Sequence, residues 1–84
     1  MNKDMELFEE IERLIDSTDN EIQRALSLSK LNISVKESFE GVMENLESIH
    51  SLALRISDNF LSVVVASKVS ELISHIEQKR EQLN

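Results

Sequence analysis

Residues 35–63 read VKESFEGVMENLESIHSLALRISDNFLSV, and within them Val35, Phe39, Val42, Leu46, Ile49, Ala53, Ile56, Phe60 and Val63 recur alternately four and three residues apart. That spacing lays all nine on one side of an α-helix, whereas a half-buried strand would alternate every second residue. Helix is therefore the organising element. The seam holds no reactive group, so it speaks of packing and not of chemistry.

Composition points the same way. The 84 residues include no proline, cysteine, tryptophan or tyrosine and one glycine, and 40% are hydrophobic, which suits a helical domain and not a loop-rich or disordered chain. A chain of this length forms one domain, residues 1–84, and buries only roughly 60 to 65% of its unfolded surface, so self-association is expected to assist a thin core. Absence of cysteine excludes disulfides, thiolate metal sites and thiol nucleophiles. The longest apolar run, Val63-Val64-Val65-Ala66, falls far short of the ~20 residues that span a bilayer, so no membrane partner is expected. Met1-Asn2-Lys3-Asp4 turns acidic at once and lacks the basic and apolar regions of a signal peptide, which makes the cytoplasm the expected compartment.

Net charge is −7, with ten acids and five bases in residues 1–42 and six acids and four bases in residues 43–84. A surface of that sign repels phosphate backbones and argues against direct nucleic-acid binding.

Working outward from the seam, a first helix is predicted over about 4–29, with Asp4 as its cap. Leu7, Phe8, Ile11, Leu14, Ile15, Ile22, Ala25 and Leu26 share one face, and Thr18 is the semi-polar member of the stripe. Thr18 and Glu21 spell a capping box, yet the stripe keeps its phase across Ser17–Glu21, so the helix is expected to run through. Lys30 to Ile33 should connect, with Asn32 as turn-former, and Ser34 with Glu37 makes a second capping box. A second helix is predicted over 35–56, carrying a margin of small residues, Ser34, Ser38, Gly41, Asn45 and Ser48, that would let a neighbour approach.

Continuing the seam beyond Val63 would place Ser67, Ser70 and Ser74 on the apolar side. Instead a new stripe of Leu61, Val65, Val69, Leu72, Ile76 and Leu83 lies about 140° round the wheel from Phe60 and Val63. The phase changes at Ser57-Asp58-Asn59, which caps and turns well, so a third helix is predicted over 59–82. The fold class is all-α, an up-down-up three-helix bundle expected to be oligomeric. The rival is a helical hairpin in which residues 35–82 form one helix about 70 Å long that must dimerise.

Chemistry is sparse. His50 sits beside the apolar stripe and His75 on the polar face of the third helix, 25 positions apart, and neither has a second histidine at helical metal-ligand spacing. No metal and no cofactor is expected. His50 retains one role to test, a pH-sensitive group at a packed interface, by comparing oligomeric state at about pH 5.5 and 7.5. No serine stands in a nucleophile elbow and no glycine-rich loop is present to cradle phosphate. Pairs such as Glu9 with Arg13 and Glu12 with Asp16 belong to the outer helix face.

The run Ile15-Asp16-x-x-Asp19-x-x-Ile22-x-x-x-Leu26 resembles the Ile-Asp-x-x-Asp pattern in the first helix of the all-helical chorismate mutases, which are also short three-helix chains. That resemblance spans about a dozen residues and implies arginines on either side that bind a dicarboxylate. The matching stretches here read Ile11-Glu12-Arg13-Leu14 and Ser27-Leu28-Ser29-Lys30, and Arg13 with Lys30 does not restore the pattern. The chain is assigned to no family on this basis, and an enzyme is not expected.

Two functions compete. The first is a non-catalytic protein-interaction module, an adaptor, regulator or self-assembling oligomer. Its motive is surplus apolar surface: Phe60, Val63 and Val64 cannot share a face with Leu61, Val65 and Val69, and Met43 and Leu54 widen the second stripe. The second is an acidic inhibitor or mimic, of the kind viruses and regulatory systems encode, in which Glu6, Glu9, Glu10, Glu12, Asp16 and Asp19 enter a basic groove on a target protein.

Overall fold

A computed structural model describes residues 3–31 and 34–83, the last two as backbone only. Three helices follow in order, α1 (Lys3–Lys30), α2 (Lys36–Ala53) and α3 (Asn59–Leu83), and no strand occurs among the described residues. The chain is a three-helix bundle, and the single long helix of the rival hairpin is broken between Ala53 and Asn59. The bundle is elongated, 47 × 19 × 14 Å.

α1 is the spine. It runs unbroken through Ser17–Glu21, as the phase of its stripe requires, and Thr18 is fully buried. The Thr18 hydroxyl is satisfied locally, donating to the Leu14 carbonyl at 2.7 Å, so the helix carries a polar residue in its core without an orphaned group. The Thr18–Glu21 capping box is therefore not used: a cap needs a helix end.

α2 begins and ends later and earlier than its sequence indicates. Val35 occupies the cap position with no side-chain bond, and the Ser34 hydroxyl accepts only a long bond, 3.4 Å, from the Lys36 N–H, so the second capping box does not form. At the other end the helix stops at Ala53, not Ile56, as the N–H groups of Arg55 and Ile56 bond three residues back to Leu52 and Ala53. This tight last turn still carries Ile56 into the core, which is why the seam kept its phase past the end of the helix. The predicted connection at Asn32 and Ile33 lies outside the described residues, as does the Leu83 side chain expected on the third stripe.

The α2–α3 turn is fixed from a distance. The Asp58 carboxylate accepts from the Phe60 N–H at 3.0 Å and its carbonyl from the Ser62 N–H at 2.9 Å, so Asp58 caps α3 as predicted. Asp4, expected to cap its own helix, lies inside α1, which starts at Lys3; its carboxylate reaches across the bundle instead. It accepts from the Ser57 N–H at 3.2 Å, the Asp58 N–H at 2.9 Å and the Ser57 hydroxyl at 3.1 Å. These bonds hold its pKa below the ordinary carboxylate value, the Ser57 N–H foremost, against a smaller opposing effect of desolvation.

Ile11, Ile22, Val42, Ile49, Ile56, Val65 and Leu72 form the buried core, drawn from all three helices. The packing is uneven. α1 lies along both α2 and α3, most extensively α2, whereas α2 and α3 hardly approach one another. The small margin of α2 faces α1: Ser38 is buried, Asn45 donates to Ser17 at 3.4 Å, and Gly41 lies against the Glu21 side chain.

Candidate functional site

Because α2 and α3 meet mainly through α1, the bundle has an open side. Leu46, His50 and Ala53 of α2 face Ser62, Val65, Ala66, Val69 and Ile73 of α3 across a groove of about 370 Å³. The floor is apolar, and Val65 at its base belongs to the core. Ala53, Ser62 and Ala66 are small, so the walls are low, and Ile73 on the α3 side remains 42% exposed. Of these residues, His50 was singled out by sequence for an interface role, and it does border the groove.

The five residues expected to form an interface are placed apart. Met43, 57% exposed, lies on α2 beside Lys36, Phe39 and Glu40, and Leu54, 75% exposed, directly follows the end of α2; neither lines the groove. Phe60 at 73% and Val63 at 68% point outward from the opposite side of α3, and do not close the end of the bundle against α2. Val64 is half-buried. Met5 and Leu31 add exposed apolar side chains near the two ends of α1.

The six acids are likewise spread around the helix. Glu12, Asp16 and Asp19 line a second groove, about 510 Å³, between α1 and α3, together with Gln23, Lys68, Glu71 and His75 over a floor of Ile15 and Leu72. Glu10 borders the other side of α1, against Glu44 and Glu47 of α2. Glu6 and Glu9 are exposed. One part of this surface is partly neutralised: Lys68 lies 3.6 Å from Glu12 and stacks its ammonium 5.9 Å from the centre of the Phe8 ring. Arg13 pairs with Glu10, one turn away, and not with Glu9. Arg13 and Lys30, the positions that the chorismate-mutase resemblance would need, are about 25 Å apart along α1 at 1.5 Å per residue, and neither lines either of these two grooves beside α1.

No group of three or more His, Cys, Asp and Glu among the described residues is arranged to hold a metal ion, and no described helix is long and apolar enough to cross a membrane. Comparison with family models, curated proteins and solved structures finds no match to the chain.

Proposed function

We propose that the chain is a small non-catalytic helical module that acts by binding protein, with the α2–α3 face as its docking surface. One observation carries this reading. Two of the three helices present apolar side chains across a shallow groove that the third helix does not fill. An apolar face left open on a short bundle is the kind of surface that helical partners cover, in a second copy or in another protein. Phe60 and Val63, outside that groove, offer a smaller secondary contact.

The test uses Ala66→Arg. Ala66 is exposed on the groove wall, so a long cation there blocks the groove while leaving Val65 and the core in place. Sedimentation of both proteins between about 1 and 100 µM, and retention of host proteins on each when immobilised, should separate them: association of the native chain, with itself or with a retained protein, is lost in the variant. A native chain that stays monomeric and retains the same proteins as Ala66→Arg would contradict the reading.

A further inference from the structure

Building on that reading, we propose that the occupant of the α2–α3 groove is a second copy of this chain, laid over it antiparallel so that α2 and α3 of both copies form one four-helix layer. The grading of side-chain size along the groove carries this. On α3 the groove residues Ser62, Ala66, Val69 and Ile73 follow one another at intervals of four, three and four residues, the spacing of a packed helix seam. They are small near the α2–α3 turn and large away from it. On α2 the same trend runs through Ala53, Leu46 and Phe39 at intervals of seven residues, with Ala53 next to the turn and Phe39 half-buried at the far end. A copy set parallel would put small on small and large on large. Turned end for end about an axis near Val69 and Leu46, it sets Ile73 over Ala66 and Phe39 over Ala53, and the reverse, so one symmetric contact fills the hollows of both copies.

Charge agrees with this contact. The groove is lined by no carboxylate, lysine or arginine, and His50 is its one titratable group. The α1–α3 groove holds Glu12, Asp16, Asp19 and Glu71, and the α1–α2 groove holds Glu10, Glu44 and Glu47. Two copies that each carry −7 therefore meet through the α2–α3 groove without apposing carboxylates. Glu40 and Glu47 stand roughly 100° or more round the α2 wheel from Leu46, outside the contact. Beyond Ile73 the α3 seam runs on to Ile76 and the exposed Arg80, and the exposed Asp58 precedes it at the turn; each of these two charges is eleven residues from Val69. Antiparallel pairing about Val69 brings Arg80 of each copy to Asp58 of the other, while Glu77, nearer the rim, comes level with uncharged Ser62. Size fits as well. α3 is about 37 Å long and the bundle at most 19 Å wide, so the two faces bury at most about 1,400 Å², within the roughly 1,200 to 2,000 Å² of specific complexes.

Sedimentation of the native full chain between about 1 and 100 µM should show a monomer–dimer equilibrium, which Ala66→Arg weakens at least about ten-fold while circular dichroism still reports a folded protein. Should Ala66→Arg unfold, Ile73→Lys at the same wall replaces it. The chain has no cysteine, so single cysteines report the orientation. Ala66→Cys and Ile73→Cys, mixed and oxidised, should give the mixed disulfide at least about five-fold in excess over either same-residue disulfide, the three being told apart by mass. In the antiparallel pair Ala66 lies opposite Ile73 of the other copy and about 10 Å along the axis from that copy's own Ala66, beyond disulfide reach. A dimer whose disulfides join like residues, or one that forms no disulfide in the mixture, overturns the antiparallel copy. If the native chain is monomeric throughout yet retains a host protein that Ala66→Arg does not, the occupant is another protein: the inference fails and the interaction reading survives. If the native chain is monomeric and retains no such protein, or if Ala66→Arg associates as the native chain does, both fail.

Discussion

Thr18 and Asp4 show how single polar groups are placed in this bundle. The Thr18 hydroxyl is wholly buried and donates within its own helix, to Leu14. Replacing it by valine removes a donor whose acceptor is a helix carbonyl, so no buried group loses its only partner, and the change should stay within about 1 kcal/mol. Thr18→Asp, which buries a carboxylate among Ile11 and Ile22, should prevent folding at neutral pH. Urea unfolding of the two variants separates them. Asp4 works differently, since its carboxylate ties the start of α1 to the α2–α3 turn. Its pKa is lowered in the folded chain, so its contribution is complete at pH values above the ordinary carboxylate value of 3.8 and disappears as pH falls through the lower folded value. Asp4→Ala should therefore lower the thermal midpoint at pH 7, and the gap from the native chain should narrow as the buffer is taken below pH 3.8. A gap that stays constant through that range would rule out the carboxylate as its source. Sequence marked both residues but misjudged Asp4, because a carboxylate near a helix start caps locally by default and only the tertiary fold brings Ser57 and Asp58 within its reach.

At the scale of the element, the helices were legible because periodicity is a local signal: the unbroken phase of α1 and the phase change at Ser57-Asp58-Asn59 gave all three segments. The ends of α2 were not, since Val35 begins the helix uncapped and Ile56 is buried from a turn, so its apolar character mimics one more helical position. Gly41 is the informative site on this element. It lies in mid-helix on the margin facing α1, where glycine lowers helix stability by about 0.5 to 1 kcal/mol relative to alanine. A Cβ there would sit 3.8 Å from the nearest Glu21 atoms, an ordinary contact, so close packing does not demand glycine. Gly41→Ala should accordingly stabilise the protein by about 0.5 to 1 kcal/mol in urea unfolding. Destabilisation would mean that α1 and α2 approach more closely in solution than these distances allow.

For the whole molecule, the decisive fact is that α1 is shared: α2 and α3 each lie along it, while their backbones scarcely approach each other. No periodicity reports how far apart two neighbouring helices settle, so the groove that follows from this arrangement could not be read from sequence, although His50 and two members of the third stripe, Val65 and Val69, line it. The same unevenness makes an asymmetric expectation about fragments. A peptide of residues 34–84 keeps α2, its capped turn and α3, yet loses Ile11, Thr18 and Ile22 from the core and Asp4 from the turn. Helices of 18 and 25 residues without a packed face are marginal in water, and α2 and α3 offer each other little surface in its place. That peptide should show low helicity and no cooperative thermal transition at micromolar concentration, whereas residues 1–56, which retain the more extensive α1–α2 contact, should keep more of their helix per residue. Circular dichroism on the two fragments decides it. A cooperative transition in 34–84 that sharpens with concentration would show α2 and α3 completing a core with a second copy of themselves, and α1 would then be a cover on the bundle and not its spine.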